Sequence, residues 1–226
     1  MTATALKLFI LWEVADMISK SLLDAVLCER HGAAAQEKLS HAAVGIAGLG
    51  GLGSNIAVHL ARLGVGHLIL ADFDKVDLSN LNRQHYFLRH LGQWKTEALK
   101  EQLLEINPYL TCELHTTHIT PHNACTLFDR CDVICEAFDR ADQKAMFIET
   151  LLTGLPDIPL ISGSGMAGTH SANAIHTLHR FQNLYLCGDQ TSDIADGQCL
   201  MAPRVAVCAA HEATMAMRLL LGEKEP

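Results

Sequence analysis

The sequence predicts an α/β fold in which a parallel sheet is extended by antiparallel strands and preceded by N-terminal helices. Three observations lead to this fold class. Short apolar runs, long enough only for buried strands, alternate with segments of helical periodicity. A cluster of glycines separates the first such run from the helix that follows it. Further along, apolar and polar residues alternate, which is typical of antiparallel strands.

The stretch from Ala43 to Asp72 contains the first strand, turn and helix. Val44 to Ala47 and His67 to Ala71 predict buried strands. The turn carries Gly48, Gly50, Gly51 and Gly53. A glycine turn before a helix N-terminus lets the backbone approach a phosphate, and an acid about 20 residues later is suited to bind a ribose. The sequence therefore predicts a Rossmann-like nucleotide-binding sheet. In the simpler interpretation, the glycines only pack the helix against the strand and Asp72 is a solvated strand end.

Composition limits the function classes. With 226 residues, 49% of them hydrophobic, the chain is expected to form one domain, in which residues 1–40 are a helical segment and residues 41–226 hold the sheet. The formal charge of −8 argues against nucleic-acid binding. The apolar run from Leu6 to Trp12 is too short to span a membrane, so we expect a cytoplasmic protein. Eight cysteines without a Cys-x-x-Cys pair predict reduced thiols and no four-cysteine zinc site.

The N-terminal segment predicts a helix over 4–29 with a broad apolar stripe, which either packs on the core or faces a second subunit. Core packing is the more common arrangement and is favoured. Arg30 and His31 end this helix before Gly32, and a short helix over 33–39 leads to the first strand.

The remaining elements follow in order after Asp72. They are a long polar loop over 72–95, a helix over 95–107, a strand over 110–115, a short helix begun by Pro121, a strand over 131–135, a helix over 139–153, a strand over 159–162, antiparallel strands within 174–186, a loop over 187–202 and a helix over 204–221. Because parallel strands share a carboxyl edge, we expect Asp139 on the same edge as Asp72.

Five motifs, in order, resemble the ThiF and MoeB family of ubiquitin-activating-enzyme-like adenylyltransferases: GLGGLGSN, ADFD, SNLNRQ, GQWK and EAFD. The stretches EAFDRADQKAMFIE and MAPRVAVCAAHEA look most like the short ThiF proteins of thiamine biosynthesis. The resemblance implies that ATP activates the C-terminal Gly-Gly carboxylate of a small ubiquitin-fold sulfur carrier as an acyl-adenylate.

The resemblance also implies roles for individual residues. The nucleotide-binding set is Gly48, Gly50, Gly51, Gly53, Asp72, Asp74, Asn80, Arg83, Gln84 and Lys95. Within it, Arg83 and Lys95 would neutralise the triphosphate, and Asp139 would coordinate Mg²⁺. Family members are usually homodimers in which an arginine enters the partner's site, and Arg30 is the nearest match. Taken singly, an arginine or lysine is most often only a surface charge.

The same resemblance raises two further expectations. Many relatives bind zinc through two Cys-x-x-Cys pairs, which this chain lacks, so no structural zinc is expected. Many ThiF proteins carry a sulfur-transfer cysteine in a loop, and Cys187 and Cys199 are the candidates here, although an incidental packing cysteine is favoured for both.

Several alternatives remain open. The carrier is either ThiS-like, which is favoured, or a MoaD-like carrier of molybdopterin synthesis. A nicotinamide-dependent oxidoreductase would explain the glycines and Asp72, but it leaves Lys95 and Asp139 without roles. A scaffold without catalysis is disfavoured because the cationic residues are all present. A metal cluster formed by His115, His118 and His122 is also disfavoured, since no acid or thiol follows at ligand spacing.

Overall fold

A computed structural model describes residues 18–226. The chain divides into two compact units, with the division after Glu37. The first helix, α1 (Lys20–His31), begins after Ser19, whose hydroxyl oxygen accepts the Leu22 N–H at 3.2 Å. The predicted helix over 4–29 is therefore wrong where it runs unbroken through Ser19, and its start lies outside the described residues. No residue of α1 is buried, so burial does not support packing of its apolar stripe on the core.

A seven-stranded, mostly parallel sheet follows the second helix, α2 (Ala33–His41). The strands are β1 (Ala43–Ala47), β2 (His67–Ala71), β3 (Thr111–His115), β4 (Val133–Glu136), β5 (Leu160–Gly163), β6 (His176–His179) and β7 (Leu184–Gly188). Their order is β3-β2-β1-β4-β5-β7-β6. The α/β class is confirmed, but the antiparallel part is narrower than expected, because β7 lies parallel to β5 and only β6 is antiparallel.

Five helices complete the sheet unit: α3 (Gly51–Leu63), α4 (Lys95–Ile106), α5 (Ala124–Phe128), α6 (Ala141–Gly154) and α7 (Ala202–Leu221). Gly64, with φ of 85°, ends α3 as predicted. The predicted first residues of two helices are wrong. The short helix begins at Ala124 and not at Pro121, because the Thr120 carbonyl holds a turn there by accepting the Ala124 N–H at 3.0 Å. Helix α6 begins at Ala141, which leaves Asp139 in the preceding loop.

Helices cover both faces of the sheet. Alternate β2 residues pack in opposite directions: Leu68 and Leu70 join a cluster with residues of α3, α4 and α7, whereas Ile69 and Ala71 join a cluster with residues of α5 and α6. This three-layer arrangement explains why the parallel strands read as continuous apolar runs. No helix among residues 18–226 is long and apolar enough to cross a membrane.

Among the ionisable side chains in this interior, Glu212 of α7 stands out because it is fully buried and neither of its carboxyl oxygens has a hydrogen-bond partner within residues 18–226. Burial raises the pKa of Glu212 well above its usual value of 4.5, although the Lys144 charge opposes this rise and Glu136 adds to it. Burial therefore favours the protonated, uncharged form of Glu212 in the folded protein.

We predict that Glu212→Gln removes a pH-dependent loss of stability. An unfolded glutamate releases its proton near pH 4.5, whereas folded Glu212 keeps its proton to higher pH, so the wild-type free energy of unfolding falls as pH rises above that value. The stability of the variant relative to wild type should therefore increase with pH, by at most about 1.4 kcal/mol per pH unit. Urea unfolding between about pH 5 and pH 8 measures this difference. The exposed control Glu105→Gln should show no such trend, and a pH-independent difference for Glu212→Gln would contradict the assignment.

Candidate functional site

The candidate site lies where the strand order of the sheet reverses. Strand β1 has β2 on one side and β4 on the other, and the chain completes β2 and β3 before it crosses to β4. Ligands of open α/β sheets bind at such a switch point, outside the carboxyl ends of the strands. Gly48, Asp72 and Asp139 follow the ends of β1, β2 and β4, so the parallel pairing brings all three to this edge, as expected from the sequence.

The glycine turn between β1 and α3 is too crowded for side chains at two positions. Gly48 has φ of 90°, and a side-chain carbon there would lie 2.9 Å from the Ala137 carbonyl oxygen. At Gly53 such a carbon would overlap the Gly48 carbonyl oxygen. Gly50 and Gly51 instead lie close to the side chains of Gln84 and Arg83. The turn is thus packed tightly against the β4 exit and lies beside two of the predicted phosphate-binding residues.

Asp72 is buried and fastens the turn to the end of β2. One carboxylate oxygen accepts the Leu49 N–H at 2.6 Å, and the other accepts the Asp74 N–H at 2.7 Å. Burial raises the pKa of Asp72, while the Lys95 charge and these two N–H groups oppose that rise. Asp72 is at the position expected for ribose binding, but its oxygens also have a structural role in the turn.

Lys95, at the start of α4, is the buried cation of the site. Its ammonium lies 2.8 Å from a carboxylate oxygen of Asp74 and 3.9 Å from Asp72. The Lys95 side chain is only 6% exposed, whereas the Asp74 side chain is 48% exposed. An incoming anion can therefore compete with Asp74 for Lys95 from the solvent side.

Tyr86 is a site residue that the sequence reasoning missed. It is buried, and its hydroxyl donates to the carbonyl of Leu49 at 2.9 Å, with the Lys95 carbonyl at 3.5 Å. Burial, together with the Asp72 and Asp74 charges, raises the pKa of Tyr86 well above 10. Tyr86 thus joins the glycine turn to the start of α4 as a neutral donor. In the sequence, only its place two residues after SNLNRQ points to this role.

The loop that carries Arg83 and Gln84 is fastened to α3. The Ser54 hydroxyl accepts the His85 N–H at 2.9 Å and donates to the Gly50 carbonyl, and the Asn55 amide donates to the carbonyls of Gly51 and Arg83. These two residues of GLGGLGSN were not singled out from the sequence. They hold the loop directly beside the glycine turn.

Two buried polar atoms beside the glycine turn have no hydrogen-bond partner within the described part of the chain: Nε of Arg83 and Oε1 of Gln84. An unpaired buried donor costs about 1–3 kcal/mol, so such atoms are typical of a site completed by a ligand. Asn80 differs, because its side-chain oxygen accepts the Asp77 N–H and closes a turn within the loop.

The residues at this edge fit a nucleotide and its magnesium ion. The glycine turn provides a close backbone approach, Arg83 and Lys95 supply the positive charge that a triphosphate requires, and Asp139 is exposed at the mouth of the site. Residues 18–226 contain no group of three or more His, Cys, Asp or Glu side chains that could hold a metal. One carboxylate nevertheless suffices for Mg²⁺ when substrate phosphates and water complete its shell.

The two candidate loop cysteines lie in different environments. Cys187 is fully buried within β7 and not in the loop, and burial raises its thiol pKa far above 9. Cys199 is exposed, in the loop between β7 and α7. It lines a cavity of about 280 Å³ together with Gly168, Thr169, His170, Gln198 and Met201.

A buried ion pair that the sequence did not reveal fixes the base of this loop. The Arg204 guanidinium contacts the Asp189 carboxylate at 2.5 Å and donates to the His170 carbonyl at 2.6 Å. Burial opposes ionisation of Asp189, but hydrogen bonds from Ser192 and Thr191 and the Arg204 charge lower its pKa to about 2.

Arg30 lies on the exposed last turn of α1, in the other compact unit. The residues predicted from the sequence to bind the nucleotide, together with Asp139, all lie within residues 38–226.

Comparison with known proteins identifies the family. The model of the ThiF family matches residues 24–226. The chain is 31% identical over 152 residues to "Adenylyltransferase and sulfurtransferase MOCS3" of Caenorhabditis briggsae, covering 67% of this chain and 37% of that protein. It is 39% identical over 136 residues to "Adenylyltransferase and sulfurtransferase uba4" of Aspergillus terreus, covering 60% and 28%. The chain thus spans only about a third of the curated relatives it matches.

Solved structures share the fold at lower identity. The E. coli tRNA N6-threonylcarbamoyladenosine dehydratase TcdA, in complex with ATP, superposes with a TM-score of 0.80 at 21% identity, covering 91% of this chain and 97% of that chain. E. coli MccB with ATP gives a TM-score of 0.67 at 22% identity, covering 84% and 59%. The family match extends over nine-tenths of the sequence and includes every residue of the site at the sheet edge, so this chain belongs to the ThiF family.

Proposed function

We propose that this protein uses ATP to adenylylate the C-terminal Gly-Gly carboxylate of a ThiS-like sulfur carrier in thiamine (thiazole) biosynthesis. The observation that supports this most is the set of cationic and unpaired polar groups around the glycine turn. Lys95 pairs with Asp74, a half-exposed carboxylate that an anion can displace, and Nε of Arg83 is a buried donor without a partner among the described residues. Curated relatives are named adenylyltransferases, which agrees with this chemistry. The ThiF match favours it over a nicotinamide-dependent oxidoreductase.

The reaction needs alignment more than covalent catalysis. The carrier carboxylate oxygen attacks the α-phosphorus of ATP, one new P–O bond forms, and the bond to the β-phosphate oxygen breaks with release of pyrophosphate. The carboxylate is already ionised, so no base is required. The glycine turn holds the phosphates, and Arg83 and Lys95 stabilise the charge on the departing pyrophosphate. Asp139 would hold Mg²⁺, which would supply further positive charge to the polyphosphate.

Two further parts of the proposal come from the family resemblance. A homodimer would supply Arg30 of one subunit to the site of the other. The sulfur-transfer thiol, if this chain has one, is Cys199, because Cys187 is enclosed in β7 and its thiol stays protonated. The exposed Cys199 thiol beside a cavity is accessible to the end of a carrier tail.

We predict carrier-dependent exchange of labelled pyrophosphate into ATP. A ThiS-type carrier ending in Gly-Gly should support exchange, because its carboxylate is the nucleophile of the reversible first step. The same carrier without its terminal glycine is the control and should support none. Exchange with a MoaD-type carrier alone would replace the proposed substrate, and NADH binding without exchange would refute the proposed function.

We predict that Asp139→Ala abolishes magnesium-dependent exchange while it leaves folding intact. Asp139 is exposed in a loop, so its removal should change the free energy of unfolding by no more than about 0.5 kcal/mol. Loss of a metal-holding carboxylate should lower the exchange rate at least about 100-fold. The matched control is Asp157→Ala, an exposed aspartate in the loop before β5 that should retain exchange. Near-normal exchange by Asp139→Ala would make Asp139 a structural residue of the loop.

We predict that Arg30 acts across a dimer. Arg30→Ala and Asp139→Ala subunits, each inactive alone, should regain activity when mixed, because one site of each mixed dimer receives its arginine from one chain and its aspartate from the other. Random mixing should restore about a quarter of the wild-type exchange rate. A mixture of Asp139→Ala with Lys95→Met is the control and should stay inactive, since both residues lie in the same unit of the chain. Subunit exchange confirmed by mass, but without regained activity, would refute delivery in trans.

A further inference from the structure

Next to the candidate site, an ion pair joins the buried carboxylate of Glu136 to Lys144, whose side chain is 20% exposed. Glu136, the last residue of β4, has no exposed surface. Its two carboxylate oxygens accept hydrogen bonds from the Lys144 ammonium at 2.9 and 2.8 Å. The Ser162 hydroxyl also donates to Glu136, and so does the Phe138 N–H at 2.7 Å. A buried carboxylate is tolerated only when its oxygens are satisfied in this way.

The two members of this ion pair hydrogen-bond to the backbone N–H and carbonyl of Phe138. Glu136 accepts the Phe138 N–H, and the Lys144 ammonium donates to the Phe138 carbonyl at 3.1 Å. Phe138 directly precedes Asp139, the proposed magnesium residue. The pair therefore fixes the peptide groups from which the Asp139 side chain projects.

The opposite side of the same segment lies against the glycine turn. The Ala137 N–H donates to the Ala47 carbonyl at 2.8 Å, and the Ala137 carbonyl is so close to Gly48 that a side chain there would collide with it. The β4 exit is thus held between the ion pair and the turn. A shift of this segment would move Asp139 relative to the phosphates that the turn is proposed to hold.

The neighbouring Glu212 does not compete for the lysine. It is also fully buried, but neither of its carboxyl oxygens has a hydrogen-bond partner in the described part of the chain. The Lys144 ammonium instead donates to both carboxylate oxygens of Glu136 and to the Phe138 carbonyl.

We propose that Lys144 and Glu136 are positioning residues that set the β4 exit, and hence Asp139, for binding of the magnesium–nucleotide complex. This inference rests on the proposed function for the role of Asp139. A merely structural ion pair would contribute to stability and would leave metal affinity unchanged. Replacing both charges by apolar groups of similar volume separates the two cases. Removal of the whole pair leaves no uncompensated buried charge, so the variant is expected to fold, and its metal affinity can then be compared with that of the wild type.

The test compares two double variants. Glu136→Leu with Lys144→Met removes both side-chain hydrogen bonds to the Phe138 backbone, whereas Glu136→Gln with Lys144→Met keeps an acceptor for the Phe138 N–H. The first variant should stay folded, with amide hydrogen exchange over residues 136–142 accelerated by about 10-fold or more. Its Mg²⁺ concentration for half-maximal pyrophosphate exchange should rise by about 10-fold, with a smaller change at saturating Mg²⁺. The second variant should be intermediate in both measurements.

The matched control removes an ion pair outside the site. One guanidinium nitrogen of Arg130 donates to both carboxylate oxygens of Glu113, and the Arg130 side chain is 69% exposed. Glu113→Gln with Arg130→Met should therefore leave both measurements unchanged. If Glu136→Leu with Lys144→Met leaves hydrogen exchange over 136–142 or the Mg²⁺ requirement unchanged, the positioning role is overturned. Hydrogen exchange is measured without nucleotide or carrier. If wild-type protein shows no pyrophosphate exchange, the proposed function and the metal-binding part of this inference are refuted, while hydrogen exchange alone still decides whether the pair fixes the segment.

Discussion

The close approach of the glycine turn to its neighbours is the constraint on which the site depends. Gly53 lies so near the Gly48 carbonyl, and Gly48 so near the Ala137 carbonyl, that any side chain there would separate β1, α3 and the β4 exit. The close packing also brings the Leu49 N–H within hydrogen-bonding distance of Asp72. The same few glycines that permit a phosphate to approach therefore also determine where β2 and β4 deliver their acids.

Two ion pairs near this turn have a buried carboxylate. Glu136 pairs with Lys144, whose side chain is 20% exposed, and Asp189 pairs with Arg204 at the base of the next loop. Replacing a complete buried pair with apolar residues is often neutral for stability, so stability alone gives a weak reason to retain such pairs. Their geometric effect is a stronger reason, since each binds backbone carbonyls of a loop at the carboxyl edge of the sheet and limits how that loop can move.

The sequence predicted the parallel sheet, the glycine turn and the shared edge of Asp72 and Asp139, because these depend on local periodicity and on the direction of parallel strands. It did not predict Tyr86, Ser54 or Lys144 as site-supporting residues. Their roles depend on contacts with partners eight to 37 residues away, such as the 37-residue separation between Tyr86 and Leu49, and no spacing rule encodes such contacts. The start of α6 was misplaced by two residues for a similar reason, since the Phe138 backbone is held by the ion pair and not by helical hydrogen bonds.

Polar atoms that support the site have hydrogen-bond partners among residues 18–226, whereas atoms that a ligand could bind do not. Atoms that hold the backbone, such as the carboxylates of Asp72 and Glu136, have their partners within the chain. Nε of Arg83 and Oε1 of Gln84 do not, although burial makes an unpaired atom costly. Lys95 lies between these cases, because the side chain of its partner Asp74 is 48% exposed. A triphosphate that displaces Asp74 would replace an ion pair that solvent screens with contacts to the Lys95 ammonium that solvent screens less. Lys95 would then neutralise triphosphate charge without leaving its buried position.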